Sequence, residues 1–344
     1  MPTPRRVTII DVARAAGVSI GTASRVLNQR GGEIKISEET RNHVLEAARQ
    51  LGYRPNPFAS ALRTQRTGVI GIIVRDMCDP FLSLLAREVQ KVARAQGVDV
   101  LMAHAEYDLE IVGHHLAFMH SHWFDGLLLL GDMPGDQAII NELQKTSTPF
   151  VAVARGEETS PPMVNVDETA ATRLGLDYLT GLGHRRIAFL GNLEHGGVQE
   201  RLVLFRRYFA ERGLALPEEY VRTCANSRGA ALACAQSLLT LPQPPTALFC
   251  ATDLAALGAI SGAQRLGRRV PDDISIVGFD DIEGAADSFP ALTTIRQPVG
   301  EMAAAAVGLL MGFIDGTQTA EAEHRVLVAP RLMVRQSCAM PRQP

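Results

Sequence analysis

The stretch VTIIDVARAAGVSIGTASRVLN, Val7–Asn28, carries two short helical patterns joined across one glycine, Gly17. Thr8 caps the first pattern, with Asp11 three residues on in the capping-box position, and Gly17 stops it. Ser19 caps the second, which turns Ala23, Val26 and Leu27 inward at helical spacing. A third pattern follows, with Ser37 as its cap. Glu38 and Glu39 suit the positive end of its dipole, Val44, Leu45, Ala48 and Leu51 form an apolar stripe, and Gly52 ends it. Three short helices with a tight turn between the first two outline a helix-turn-helix, whose second helix enters the DNA major groove. The second helix shows Ser19, Thr22, Ser24 and Arg25 where a solvated helix would show Glu and Lys. Small hydroxyls reach phosphate oxygens without bulk, and an arginine forks onto guanine. Gly21 costs about 1 kcal/mol relative to Ala in a helix interior, which close approach to DNA explains. On pattern alone a generic helical hairpin remains the alternative.

The charge distribution points the same way. The 344 residues have a formal net charge of −3, 46% hydrophobic and 21% charged residues, as in an ordinary globular protein. Residues 1–66 hold 11 Lys+Arg against 5 Asp+Glu, while the remaining 278 hold 23 against 32. A basic head on an acidic body is the asymmetry of a polyanion-binding module attached to something else, with a merely solvated head as the bland reading. The opening MPTPRRVTIIDVARAAG lacks a signal-peptide pattern, and no apolar run reaches the roughly 18 residues of a membrane span. The five cysteines, Cys78, Cys224, Cys234, Cys250 and Cys338, form no C-x-x-C pair and read as thiols in a reducing compartment. The expectation is a cytoplasmic, nucleoid-associated protein.

After the head comes RPNPFASALRTQRTG, Arg54–Gly68. Asn56 as cap and Pro57 in the first turn permit a helix to about Arg63, too short to stand alone in water. From Val69 the pattern changes to short apolar runs alternating with amphipathic segments. VIGIIV (69–74), VDVLMA (98–103), GLLLL (126–130), PFVAV (149–153), RIAFL (186–190), TALFC (246–250) and ISIVGF (274–279) read as strands of parallel sheets covered on both faces. Their extent calls for two α/β lobes.

These segments resemble the LacI family of bacterial transcription regulators. The similarity is close to residue by residue from Thr8 to Val74, through TIIDVARAAGVSIGTASRVLN and ISEETRNHVLEAARQLGYRPNPFASALRTQRTGVIGIIV. It continues in DPFLSLL (79–85), VDETAATRLGLDYLTGLGHRRIAFLG (166–191), ERLVLF (200–205), ATDLAALGAI (251–260), RRVPDDISIVGFDDIEGA (268–285) and LTTIRQPVGEMAAAAV (292–307). The resemblance implies an α/β fold: a three-helix helix-turn-helix head (1–53), a hinge (54–67), and a two-lobed periplasmic-binding-protein-like body with parallel sheets. Its N-terminal lobe would be 68–165 plus 298–322, and its C-terminal lobe 166–297 plus 323–340. It further implies that Ile20, Gly21 and Arg25 face bases. Ser19, Thr22, Ser24, Asn28, Ser37, Tyr53 and Asn56 fall at positions that touch phosphate, with Thr8 and Arg63 completing the DNA-facing set. The hinge helix would form when two subunits dock on DNA, with Leu62 as a minor-groove wedge and Ala59 beside it. Leu62 as an ordinary linker leucine is the alternative.

The resemblance places a small-molecule effector, a sugar or sugar phosphate, or else a nucleoside or purine, in the cleft between the lobes. Asp79, Phe81, Arg155, Arg201, Thr252, Asp253 and Asp280 match cleft positions: charged groups at strand ends fix hydroxyls, and a ring covers a sugar or base face. Asp253 also reads as the cap of the helix that begins there, and Arg201 as a surface arginine. The implied function is a repressor, dimeric for want of a C-terminal leucine heptad, binding a palindromic operator under effector control.

Departures from the family pattern leave the ligand open. Ala154 stands where many sugar-binding members carry an acid, Leu204 replaces a usual glycine, and QRGGEIKI (29–36) lengthens the turn before the third helix, adding Arg30 and Lys35. HHLAFMHSHW (114–123) has four histidines but neither acid nor thiol to complete a metal set. No P-loop, G-x-G-x-x-G after a strand, G-x-S-x-G or H-E-x-x-H occurs, so neither an enzyme nor a bound cofactor is expected. An exported solute-binding protein would share the two lobes but carry an export signal and no basic head.

Overall fold

The computed structural model describes residues 7–27, 36–53, 66–120, 124–132, 135, 137–156, 162–319 and 324–342. The chain divides into two compact units, Met1–Thr67 and Gly68–Pro344.

In the first unit, helices α1 (Ile9–Ala15), α2 (Ile20–Leu27) and α3 (Glu38–Gln50) pack around Val12, Ala13, Ala23, Val26, Val44, Ala47 and Ala48. The Asp11 carboxylate receives the Thr8 N–H at 2.9 Å, Ser19 Oγ accepts from Thr22 N at 3.1 Å, and Ser37 Oγ accepts from Thr40 N at 3.2 Å. Gly17 sits at φ +65°, left-handed backbone that lets the chain turn sharply between α1 and α2. On α3 the structure corrects the expected stripe. Ala47 joins Val44 and Ala48 in the core, while Leu45 and Leu51 are exposed, because i, i+3 and i+4 share one face, Leu45 stands about 100° round from it, and Leu51 is the cap beyond the helix.

The second unit holds two six-stranded sheets. The first contains β1 (Val69–Val74), β2 (Asp99–His104), β3 (Gly126–Leu130), β4 (Phe150–Val153), β5 (Met163–Val166) and β11 (Arg325–Val328), in the order β11-β5-β4-β3-β1-β2. The second contains β6 (Ile187–Gly191), β7 (Val221–Thr223), β8 (Ala247–Cys250), β9 (Ser275–Asp280), β10 (Thr293–Arg296) and β12 (Arg331–Met333), in the order β12-β10-β9-β8-β6-β7. All pairings are parallel except β10 with β12. The lobe boundaries expected from sequence shift at two points: the pattern puts residue 166 and residues 325–328 in the C-terminal lobe, but Val166 ends β5 and 325–328 pair with β5 in the first sheet. The last crossover therefore lies between Val328 and Arg331, since the backbone amides and carbonyls of 325–328 complete their hydrogen bonds there.

Helices cover both sheets: α4 (Pro80–Ala95), α5 (Leu109–His120), α6 (Gln137–Gln144) and α12 (Val299–Ile314) with the first, α7 (Glu168–Gly181), α8 (Gly196–Glu211), α9 (Arg228–Leu239), α10 (Asp253–Arg265) and short α11 (Glu283–Asp287) with the second. Phe205 and Phe209 of α8 pack with Phe189 and Phe249 of the sheet; the Phe189 and Phe205 centroids lie 5.4 Å apart. Burying each ring stabilises by roughly 2–3 kcal/mol. That packing fixes α8's rotation and carries Arg201, one turn before Phe205, to the end of the sheet.

Candidate functional site

In the head, α2 turns Ile20, Gly21 and Arg25 outward with Ser19. Ile20 is 50% exposed, as Ile10 on α1 is at 49%. A Cβ at Gly21 would meet only Ser19 Oγ, at 3.7 Å, so nothing inside the head requires glycine there. Thr22 and Ser24 are half-buried on the flanks, and the Ser19 and Thr22 hydroxyls lie 2.9 Å apart. Tyr53 packs against the head core, its N–H bonded to Ala48 O at 2.8 Å. Asn28, Asn56, Ala59, Leu62 and Arg63, with Arg30 and Lys35, lie outside the described residues.

In the body, the C-terminal ends of the two sheets' strands converge on a cleft, the crevice where open α/β sheets bind ligands. Asp79 caps α4, accepting from Phe81 N at 2.9 Å and Leu82 N at 3.2 Å, which sets Phe81 in the cleft wall. Arg75, directly after β1, donates to Asp79 Oδ2 at 2.7 Å and to Asp132 Oδ1 at 3.4 Å. From the second lobe, Asn226 Nδ2 reaches the same Asp79 oxygen at 3.3 Å. Arg201 makes a two-pronged pair with Glu168, 2.8 and 2.7 Å, donates to Ala251 O at 2.8 Å, and lies 3.5 Å from the Phe279 ring centre. Burial pushes the Glu168 carboxyl up against the opposing pull of Arg201. Arg155 donates to Gly131 O at 2.7 Å, and its backbone N–H to Asn165 Oδ1 at 3.0 Å. Asp280, at φ 114°, accepts from Gln297 Nε2 at 2.8 Å, and burial pushes its carboxyl well above the ordinary range.

Thr252 lines the cleft and caps α10, accepting from Ala255 N at 3.1 Å and donating to Asn226 Oδ1 at 3.0 Å. Asp253 stands apart from the cleft lining. It is wholly buried, accepts from Thr294 Oγ1 at 2.5 Å and Ile282 N at 2.9 Å, and so braces the loop after β9. Burial pushes its pKa up to about 7 against those hydrogen bonds. The structure thus brings Asp79, Phe81, Arg155, Arg201, Thr252 and Asp280 together and places Asp253 behind them. Sequence reasoning missed Arg75, Asp132, Asn165, Glu168, His195 and Gln297, which share the same wall. The five non-glycine residues at positive φ among the described residues are Glu106, Tyr107, Ala154, Asp280 and Asp281. All five lie at or just after the C-terminal end of a strand, and Ala154 and Asp280 line the cleft, where strained backbone concentrates in functional sites.

Among the described residues no three His, Cys, Asp or Glu side chains are grouped to hold a metal ion. No helix there is long and apolar enough to cross a membrane.

Comparison with known proteins agrees with this architecture. Residues 8–56 match the family described as bacterial regulatory proteins, lacI family, and residues 176–338 match a periplasmic binding protein-like domain. The chain is 35% identical over 316 residues to the HTH-type transcriptional repressor CytR of Escherichia coli strain K12, covering 90% of each chain. It is 33% identical over 312 residues to the catabolite control protein A of Priestia megaterium, covering 90% of this chain and 93% of that one. Among solved structures, the Lac repressor dimer bound to operator and the anti-inducer ONPF superposes with a TM-score of 0.87 at 27% identity, covering 97% of this chain and 100% of that chain. The transcriptional regulator CelR–cellobiose complex gives 0.73 at 28% identity, covering 96% and 100%. With a helix-turn-helix head, a two-lobed cleft and a relative of this identity along nine-tenths of its length, the chain belongs to the LacI family of bacterial DNA-binding transcriptional regulators.

Proposed function

We propose that this chain represses transcription in the cytoplasm as a homodimer on a palindromic operator, released or tightened by a neutral sugar in the interlobe cleft. The observation that carries the sugar reading is the pairing of charge around the cleft. Arg75 is engaged by Asp79 and Asp132, and Arg201 by Glu168, so these two cations are already neutralised. Acceptor oxygens of Asp280, Asp132 and Glu168 remain suited to ligand hydroxyls, and the Phe81 edge suits an apolar sugar face. A phosphorylated effector would have to draw on the third cleft cation, Arg155, whose guanidinium is turned to Gly131 O. CelR, at 28% identity, was solved with cellobiose.

On the operator, Ile20, Gly21 and Arg25 would face base edges, with Thr8, Ser19, Thr22, Ser24, Asn28, Ser37, Tyr53, Asn56 and Arg63 at the backbone. Exposure of Ile20 and the open space over Gly21 support the first group. Leu62, with Ala59 beside it, would wedge the minor groove when the hinge helices pair. Asp79, Phe81, Arg155, Arg201, Thr252 and Asp280 would hold the effector, with Asp253 supporting the Asp280 loop. Ligand-driven lobe movement would then respace the hinges, the two-state coupling that regulation requires.

Fluorescence anisotropy against a pool of short palindromic duplexes at fixed salt, with sugars and nucleosides added singly, tests this. Selective binding altered by a neutral sugar is the expected result. Binding indifferent to sequence would refute the operator reading, and a response confined to nucleosides or phosphorylated compounds would refute the sugar.

A further inference from the structure

One buried polar group in the cleft is left without a role by the contacts above. His195, which precedes α8, is 3% exposed and lines the cleft. Its Nε2 is engaged by the amide of Asn192. Asn192 Oδ1 accepts the Glu194 N–H at 3.0 Å, which orients the amide so that Nδ2 donates to His195 Nε2 at 3.3 Å. Tyr107, from the other lobe, stacks on the imidazole with centroids 5.8 Å apart and planes 11° apart; its hydroxyl donates to Asp76 Oδ2 at 3.4 Å and lies 3.4 Å from the same Nε2. A ring nitrogen that receives an amide N–H carries no proton of its own, so a neutral imidazole here holds its proton on Nδ1. No hydrogen bond to Nδ1 occurs among the described residues.

The ring is neutral. Burial, with Arg75 and Arg201 facing it, lowers the pKa to about 4, although Asp132 and Asp76 pull the other way and Tyr107 covers the ring face. Tyr107 itself is pushed up to about 12, chiefly by burial, so its hydroxyl stays protonated.

We propose that His195 is a specificity-determining donor: its Nδ1–H meets an acceptor atom of the effector, a ring oxygen, carbonyl oxygen or imine nitrogen, while Asn192 holds the tautomer and Tyr107 packs on the ring. This rests on the reading of the cleft as the effector site. The logic is one of complement. The carboxylates accept ligand hydroxyls, whereas a ligand atom that has lone pairs and no hydrogen needs a donor, and His195 supplies one whose charge does not change at neutral pH. A ligand presenting C–H or ammonium at that place leaves the buried N–H unpaired or opposed, the kind of mismatch by which polar sites discriminate most strongly.

Long-range 15N–1H correlation spectra of the full-length protein labelled with [15N]histidine, assigned by His195→Gln, test the inference without a ligand. The expected pattern is Nδ1–H for His195, unchanged from pH 8 to pH 5. An Nε2–H pattern, or titration near pH 6.5, would overturn it. Asn192→Leu should shift the tautomer population toward Nε2–H; persistence of the wild-type pattern would overturn the positioning role. Operator binding by the same wild-type sample separates the two readings. A wrong tautomer with intact operator binding strikes this inference alone, and the right tautomer without operator binding strikes the regulator reading alone.

Discussion

Replacing Glu168 with Gln isolates the energetics of the cleft's strongest ion pair. Arg201 and Glu168 are both buried and meet through two contacts of 2.8 and 2.7 Å. The amide that Glu168→Gln introduces keeps one acceptor but turns the other contact into donor facing donor. It leaves the guanidinium with one amide oxygen, Ala251 O and the Phe279 face, but without its paired charge. Breaking a buried pair from one side costs about 3–5 kcal/mol, because the remaining charge stays out of water uncompensated. For a body of this size about 1 kcal/mol moves Tm by roughly 2 °C, so the variant should melt about 6–10 °C lower. The double variant Glu168→Leu, Arg201→Met removes both charges and leaves an apolar contact on Phe279. It should recover to within about 2 kcal/mol of wild type, since replacing a whole buried pair by apolar residues is often near neutral. Calorimetry and urea denaturation of wild type, the singles and the double read this directly. A Glu168→Gln variant melting within about 2 °C of wild type, or a double variant whose loss equals the sum of its singles, would refute the account of an uncompensated charge.

Three further outcomes follow from the geometry. A Cβ at Gly196 would lie 3.2 Å from Gly156 Cα and collide with the Asp132 carboxylate, so Gly196→Ala should hold the lobes apart, read as increased separation between dyes placed one on each lobe; unchanged separation would show that the backbones yield. Asp253 has a folded pKa raised from 3.8 to about 7, so the folded chain holds an extra proton between those values. Its contribution is fully present below about pH 4 and lost as pH rises through about 7, at most about 4 kcal/mol. Asp253→Asn should flatten that slope in urea denaturation at pH 5 and pH 7.5, and a parallel slope in the variant would refute it. Arg25→Ala should relax base preference at one position of each half-site by about 1–3 kcal/mol, measured by competition with substituted duplexes, whereas a uniform loss across sequences would mark Arg25 as a phosphate contact.

What the sequence made legible follows from how local each signal is. VIGIIV and GLLLL announce β1 and β3 because a strand buried on both faces must be apolar throughout. TTIR, VRT and RLM give no such signal: they are only three or four residues long and mix polar with apolar residues. Arg201 and Asp280 could be picked out because each stands in a distinctive segment. Arg75 and Asp132 could not, since their meeting depends on sheet order. Only the adjacency of β3 and β1 sets the residues after them side by side. The usable clue was a charge directly after an apolar run, VIGIIV–Arg75 and GLLLL–Gly131–Asp132. His195 was legible from neither, because its partner Tyr107 lies 88 positions away on the opposite lobe.

The contacts that join the lobes across the cleft are small and polar. Asn226 reaches Asp79 at 3.3 Å, Tyr107 stacks on His195, and two glycines, 156 and 196, bring bare backbones together. A polar hydrogen bond contributes about 0.5–1.5 kcal/mol net and a stacked ring pair about as much, so these contacts hold closure by only a few kcal/mol. Inverting a two-state balance from 1:99 to 99:1 takes about 5.5 kcal/mol of differential binding, within the reach of one ligand that touches both walls. Opening the cleft therefore asks an effector to replace a few polar contacts, and the paired charges and facing glycines keep that exchange small.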